Sequence, residues 1–492
     1  MNKLKKKIEP FIEAGYPIIY IDAYEEMKVD EALKEFDDKK VDMWSLINQE
    51  SLEEFLEPYV LGTEELDEVF IVLKDIHSFL ESSHPQNQKI ISMLKKIVHK
   101  ILVDEDAYAN IIMISPIVKI PLELEKYITI FEIDLPRVDE IRTIINEFIT
   151  LYEEEIEKKE LELLASALKG LSENEINMLL NLTMQENGDL NFETSKLLIA
   201  GEKKQIIRKS GILEMVETKL NVNDIGGLDT LKSWLKKKSL VFKDMKRAKE
   251  YGVDTPKGAF IVGMPGCGKS LTAKATALLF DNIPLLRLDI GRLMGKYVGE
   301  SEGNMRKAIT QAEAISPCIL WIDEIEKSFT GIGSGGHGSE VATRLFGYFL
   351  TWMQEKTSEV YVIATANDIS NLPPELLRKG RFDEVFFVDF PNKKERKQIF
   401  EVHILNRKKD IKHIKGIDFS KLADKTEGYS GADIETVVKE SIEECFINGV
   451  DIASTDDYLK VIKEITGISE MLPEKVKEYE KMRDKMKVKS AT

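Results

Sequence analysis

A lysine and a hydroxyl stand side by side at the end of a glycine-rich turn, Gly263-Met-Pro-Gly-Cys-Gly-Lys-Ser270. The spacing is that of a phosphate-binding loop, G-x-x-x-x-G-K-[ST], preceded by the strand-like GAFIVG and followed by the helical SLTAKATALLF. Gly263, Gly266 and Gly268 let main-chain N–H groups approach a phosphate, with Pro265 and the small Cys267 filling the turn. The helix that opens at Ser270 and Leu271 adds its positive dipole end. Lys269 supplies a mobile charge for the β- and γ-phosphates, and Ser270 a hydroxyl for Mg²⁺. Further along, CILWIDEIE ends a buried apolar run in Asp323, suited to the Mg²⁺ shell, and Glu324, suited to orient and polarise an attacking water. VYVIATAND ends in Asn367, a donor for that water or the γ-phosphate. LLRKGRFD carries Arg378 and Arg381, too far along such a fold to serve their own nucleotide and expected to reach a neighbour's γ-phosphate. The chemistry expected is Mg²⁺-dependent hydrolysis of ATP.

These residues need a scaffold that gathers strand ends. From about residue 221, apolar runs (GAFIVG, LLRLDI, CILWID, VYVIATA, VFFVDF) alternate with amphipathic stretches, which predicts a parallel α/β sheet. The closing stretch, PEKVKEYEKMRDKMKVKSAT, reads as a charged helix with a frayed end.

The first half repeats this grammar. PIIYIDAY and VFIVLKDIH read as buried strands, and VFIVLKDIH aligns with CILWIDEIE. The region from ANIIMIS to IRTII follows the same order as EVYVIATAND to KQIF: strand, Pro-x-Glu-Leu, strand, proline, helix. ALKGLSENEINMLL likewise matches TEGYSGADIETVV, so an internal duplication is expected. In the first copy no glycines follow PIIYIDAY, Glu25 and Glu26 stand where a phosphate would lie, and Lys74-Asp75 replaces Asp323-Glu324. This copy is expected to dock or regulate rather than hydrolyse.

From about Asn221 to Gly467 the sequence resembles the AAA ATPase family. DIGG (Asp224 to Gly227) resembles the family's adenine loop, which implicates Asp224 and Gly226. GRFD matches its second region of homology. In GYSGAD, the resemblance places Gly431 and Ala432 near adenine and ribose. Beyond the module, KSGILEMVE, DIGGLDTLKSWL and FGYFLTWMQEKTSEVYVIATAND resemble a subfamily, the conserved chloroplast and cyanobacterial reading frame known as hypothetical chloroplast open reading frame forty-six. The family resemblance implies a hexameric ring. It also makes Tyr297, Val298 and Gly299 a channel loop that grips extended polypeptide, with the glycine-rich GIGSGGHG, which includes His337, as a second such loop. No H-E-x-x-H zinc-protease motif accompanies it.

Composition narrows the partners. Residues 1–200 carry 21 Lys and Arg against 42 Asp and Glu, whereas residues 201–492 carry 48 against 44. The acidic half disfavours nucleic acid and anionic membranes and suits a basic protein partner. No apolar run reaches the ~18 residues of a membrane span. Cys267, Cys318 and Cys445 are too widely spaced for a disulfide framework, which points to a reducing, cytoplasmic setting. Cys267 reads as a small filler of the loop; the sharper alternative is a thiol whose oxidation blocks phosphate binding.

The expected architecture is a degenerate AAA-like α/β domain without a nucleotide site (1–150), a helical lid-like segment and linker (151–220), an α/β P-loop core (221–392), a helical lid (393–467) and a charged helix and tail (468–492). The expected function is a ring-forming remodeller or unfoldase acting on an unknown protein client. A nucleotide-switched scaffold is the alternative, and a nucleic-acid-dependent ATPase a third reading.

Overall fold

A computed structural model describes residues 3–492 except 24, 48–49, 82, 105–106, 134, 153–155, 218–223, 294–299, 330–336, 369–371, 379, 409, 411–412 and 487. The chain forms two units, Met1–Leu135 and Pro136–Thr492.

The first unit is built from β1 (Ile18–Asp22), β2 (Lys40–Trp44), β3 (Val69–Lys74), β4 (Ala109–Ser115) and β5 (Ile128–Glu132). They pair in parallel in the order β2-β3-β4-β1-β5. Side chains alternate between two covered faces, which is why the runs read as continuously apolar. Ile18, Tyr20, Ile71, Leu73, Ile111 and Met113 pack on helices Leu52–Leu61 and Asn87–Val103. Ile19, Ile21, Phe70, Val72, Ile112 and Ile114 pack on helices Lys3–Glu13 and Glu26–Lys34.

The second unit holds a larger sheet: β6 (Leu213–Met215), β7 (Gly258–Gly263), β8 (Leu285–Leu288), β9 (Cys318–Ile322), β10 (Val360–Ala366), β11 (Glu384–Val388) and β12 (Lys489–Ser490). The order is β12-β11-β7-β10-β9-β8-β6, with β6 alone antiparallel to its neighbour. The five strands β7 to β11 follow the same order as β1 to β5: fifth, first, fourth, third, second. The correspondence extends to single residues. Laying the pair Val69↔Ala109 on Cys318↔Val360 puts Lys74 on Asp323 and Asp75 on Glu324. Asp75 and Glu324 both hold the left-handed backbone rarely taken by non-glycine residues, at φ 55° and 50°. Phe11 meets Phe131 edge-on, and Trp234 meets Phe386 in the same way.

Two four-helix groups repeat as well. One comprises Val138–Tyr152, Lys158–Ala167, Glu173–Asn187 and Phe192–Ser210, the other Lys393–Lys408, Phe419–Lys425, Gly431–Ile447 and Thr455–Ile462. In each, the first helix packs on the second and third, and the fourth closes over both. The third helix opens in each case with a capping box, Ser172 with Glu175 and Ser430 with Asp433.

Two expectations need correction. The first unit ends at Leu135 rather than near residue 150, because Ile141, Ile145 and Phe148 of helix Val138–Tyr152 bury against Leu164, Leu168 and Leu180 of the following helices. The last residues are not frayed. Lys489–Ser490 pairs with Phe386–Phe387, the Ala491 N–H donates to Phe387 O at 2.9 Å, and the Leu231 N–H donates to Ala491 O at 3.1 Å. Ala491 is fully buried in the core formed by Trp321, Tyr361 and Phe386. The charged pattern hid a strand of two residues, too short to show a period of its own. Ala491→Asp, which puts an unpaired carboxylate in that core, is expected to destabilise the second unit by about 3 kcal/mol, read as a lower urea midpoint with an unchanged slope.

Candidate active site

The phosphate loop runs from the end of β7 into helix Lys269–Leu279. Two of its glycines are required by what surrounds them. A Cβ on Gly263 would lie 1.9 Å from Val388 O, and one on Gly266, at φ 76°, would lie 2.8 Å from Ser430 Oγ. The loop is thus clamped between β11 and the lid, whose Ala432 N–H donates to Gly266 O at 3.0 Å. Lys269 is buried and folds back on the loop, donating to Gly263 O at 2.8 Å and Met264 O at 2.6 Å. Burial pushes its ammonium down to about 8, against the pull of Glu326, Asp323 and Glu324.

Facing the loop are the ends of β9 and β10. Asp323 Oδ1 accepts from Ser270 Oγ at 3.0 Å and from Thr365 Oγ1 at 2.6 Å. The Glu324 N–H donates to Thr365 Oγ1 at 3.1 Å, so one threonine hydroxyl positions both acidic residues. Asn367 Nδ2 donates to Glu324 Oε1 at 3.0 Å, and the Asn367 N–H donates to Glu326 Oε1 at 3.0 Å. Glu324 also pairs with Lys327; that contact, helped by the Asn367 bond, outweighs partial burial and holds its carboxyl below the usual range. Glu326 is buried, which raises its carboxyl.

The far end of the cavity belongs to Asp224, Ile225 and Gly226. This loop is pinned to helix Lys393–Lys408. The Leu228 N–H donates to Glu395 Oε1 at 3.0 Å and the Gly227 N–H to Gln398 Oε1 at 3.0 Å. Glu395, Ile399 and His403, one turn apart, line the cavity with Gly431, Ala432 and Glu435. Burial lowers the His403 imidazole, with Glu435 opposing. The cavity holds about 360 Å³, within the range of small-molecule sites.

Asp224, Gly226, Pro265, Gly266, Cys267, Gly268, Lys269, Ser270, Leu271, Asp323, Glu324, Asn367, Gly431 and Ala432 all line this one cavity. Gly263 contributes its carbonyl to Lys269. Arg378 and Arg381 do not line it: Arg378 is exposed, and the Arg381 guanidinium donates to Glu375 O. Tyr297, Val298 and Gly299, and most of the glycine-rich stretch before His337, lie outside the described residues. Sequence reasoning missed Thr365, Glu326, Glu395 and His403. Thr365 had a signal, a hydroxyl within a wholly buried strand. Glu395 and His403 had one too, a four-residue spacing on a single helix face. Cys267 is buried and its thiol is pushed up to about 12, so the thiolate that oxidation requires is scarce at neutral pH.

The chain resembles known proteins along most of its length. Residues 259–390 match the model of the ATPase family associated with various cellular activities (AAA), and residues 416–460 match the AAA+ lid domain. Residues 4–133 and 139–210 match the N-terminal and second domains of SpoVK-like AAA ATPases. The AAA domain-containing protein ycf46 of Guillardia theta is 37% identical over 99% of this chain and 96% of its own length. This chain belongs to the AAA ATPase family. The ycf46 protein of Trieres chinensis is 35% identical over 95% of this chain and 94% of its own. A proteasome-activating nucleotidase of Thermococcus onnurineus is 31% identical over 54% of this chain and 66% of its own. In this AAA ATPase the two SpoVK-like matches meet between residues 133 and 139, where the first unit ends.

The depressed Lys269 gives the AAA site a pH signature. A bound triphosphate favours the charged ammonium, so binding takes up a proton once the pH exceeds about 8. The dissociation constant for ATP is expected to weaken above that pH by on the order of tenfold per unit. Fluorescent-nucleotide titration across pH 7 to 9.5 measures it, and a flat profile would mean that Lys269 stays charged in the empty loop.

Proposed function

We propose that this AAA ATPase works as a ring, with each triphosphate completed by Arg378 and Arg381 of a neighbouring copy, and that turnover remodels a protein client. One observation carries the reading. The described cavity gathers six carboxylates (Asp224, Asp323, Glu324, Asp389, Glu395 and Glu435) against Lys269 and a histidine that burial disfavours as a cation. A transferring γ-phosphoryl group needs more positive charge than that.

Part of the charge fits a divalent metal. Ser270 and Asp323 bring a hydroxyl and a carboxylate to 3.0 Å, hard oxygen donors suited to Mg²⁺. When bound there, the ion would neutralise phosphate charge. Lys269 has to leave the carbonyls of Gly263 and Met264 to meet the phosphates. Glu324, anionic and oriented by Asn367, polarises the water that attacks the γ-phosphorus as the bond to the β-phosphate oxygen breaks. The remaining charge is the task of the arginines. Arg378 is exposed and Arg381 half-buried, both outside the cavity lining, where a second copy's nucleotide can meet them.

The remodelling half of the reading draws on the AAA module shared with the proteasome-activating nucleotidase and on the sequence motif Tyr297-Val298-Gly299. Three buried, unpaired cysteines suit a reducing compartment.

Subunit mixing tests the ring. Arg378→Ala/Arg381→Ala and Lys269→Ala are each expected to lose about 10³-fold in turnover, and an equimolar mixture to recover about a quarter of wild-type activity, because intact sites then meet intact arginines. No recovery at any ratio would sink the shared site. For the client, ATP turnover and unfolding are followed with a folded test polypeptide that carries an unstructured tail. Tyr297→Ala is expected to lower the unfolding achieved per ATP by about tenfold or more. Turnover indifferent to the polypeptide would instead favour a nucleotide-switched scaffold.

A further inference from the structure

The two sheets share one topology but differ at their edges: β6 pairs with β8, whereas among the described residues no strand pairs with the outer side of its counterpart β2, and the other edge differs likewise. In the second unit the outer side of β11 is covered by β12. In the first unit β5, the counterpart of β11, ends the sheet, and among the described residues no strand pairs with its outer side.

The backbone of β5 is oriented to accept such a strand. The Ile133 N–H donates to Asp22 O at 3.3 Å, which turns the odd-numbered residues of β5 towards β1. Ile130 and Glu132 therefore direct their N–H and C=O groups outward. Laying Ile18 on Gly258 puts the pair Asp22↔Glu132 on Val262↔Phe387. Phe387 is the residue whose carbonyl accepts from the Ala491 N–H, so Glu132 offers the same carbonyl at the same place.

Edges left open are normally protected by proline, lysine or a bulge. The sequence of β5, Ile-Thr-Ile-Phe-Glu, has neither proline nor lysine, and Ile130 is 46% exposed. The opposite edge, β2, begins with Lys40.

Charge narrows the partner. On the twin edge Lys489 pairs with Glu384. Around β5, Glu123, Glu125 and Glu132 are exposed, and residues 1–135 carry 15 Lys and Arg against 28 Asp and Glu.

We propose that the outer edge of β5 is a docking strand for an extended, lysine-bearing segment of a partner protein, which adds in parallel as β12 adds to β11. Main-chain bonds to Ile130 and Glu132 supply the affinity, and the acidic surroundings select cationic segments. The inference stands apart from the remodelling reading, since it needs neither a ring nor hydrolysis.

The test uses the full chain and the peptide Lys-Val-Lys-Ser-Ala-Thr, the sequence that fits the twin edge. Amide hydrogen exchange is followed separately in β5 and β11, so that displacement of the chain's own residues 489–492 is not mistaken for docking. Saturating peptide is expected to slow exchange at Ile130 and Glu132 by on the order of tenfold, with Glu-Val-Glu-Ser-Ala-Thr binding at least about tenfold more weakly. Ile130→Pro removes an outward donor without touching the ladder to β1 and is expected to abolish protection while ATP turnover is unchanged. If that variant melts early, Ile130→Lys, which keeps the donor and repels the peptide, is expected to lose binding instead. Unchanged β5 exchange at millimolar peptide, equal binding of the acidic peptide, or undiminished binding by both Ile130 variants would overturn the proposal.

Discussion

Asp323 stands at the end of a strand whose other side chains are wholly apolar, and a carboxylate in that position must be satisfied by the protein itself. It is satisfied by two hydroxyls, Ser270 on the helix after the phosphate loop and Thr365 on β10. Those two bonds join three elements that are distant in sequence. They fix the spacing of β9, β10 and helix Lys269–Leu279 at the end of the sheet where a nucleotide has room. The same threonine holds the Glu324 amide, and the left-handed turn at Glu324 then brings its carboxylate within reach of Asn367. Ser270, Asp323, Thr365, Glu324 and Asn367 are thus one hydrogen-bonded assembly, and changing any member shifts the others.

The first unit shows the same sheet with that assembly rewritten. Lys74 takes the place of Asp323, and its ammonium binds Asp30 Oδ2 at 2.7 Å and Glu26 Oε2 at 3.3 Å. Both carboxylates lie on helix Glu26–Lys34, which follows β1 as the phosphate-loop helix follows β7. Burial opposes the charge on Lys74, but the two carboxylates outweigh it and raise its affinity for the proton. Charges that would meet a metal and a phosphate in one copy meet each other in the other. The fold tolerates the exchange because a paired lysine satisfies the strand end as well as a hydroxyl-bonded aspartate does.

The lid makes the site sensitive to domain position. The phosphate loop is bonded to the lid through Ala432, and the loop at Asp224 is bonded to it through Glu395 and Gln398. Both loops that line the cavity are therefore bonded to the lid helices. A small rotation of the lid would alter both loops together, which is the kind of coupling a motor or a switch requires.

How much of this was legible varied with the range of the interaction. The phosphate loop, the acidic pair and Asn367 could be read directly, because each is a short motif anchored to a strand whose apolar run is unmistakable. The repeat could be read too, because burial on both faces leaves the same continuous apolar runs in both halves. The boundary at Leu135 and the strand at Lys489–Ser490 could not. Helix Val138–Tyr152 continues the amphipathic pattern of its predecessors, and only packing decides which core it joins. A two-residue strand has no periodicity, and its partner lies about a hundred residues away. The sequence by itself determined the chemistry: which groups are present, their order, and the apolar runs that must become a parallel sheet. The tertiary structure alone decided which of those groups meet, that Arg378 and Arg381 fall outside the cavity, and that one sheet edge is covered while its twin is bare. Those outcomes depend on contacts between distant segments, which local pattern does not encode.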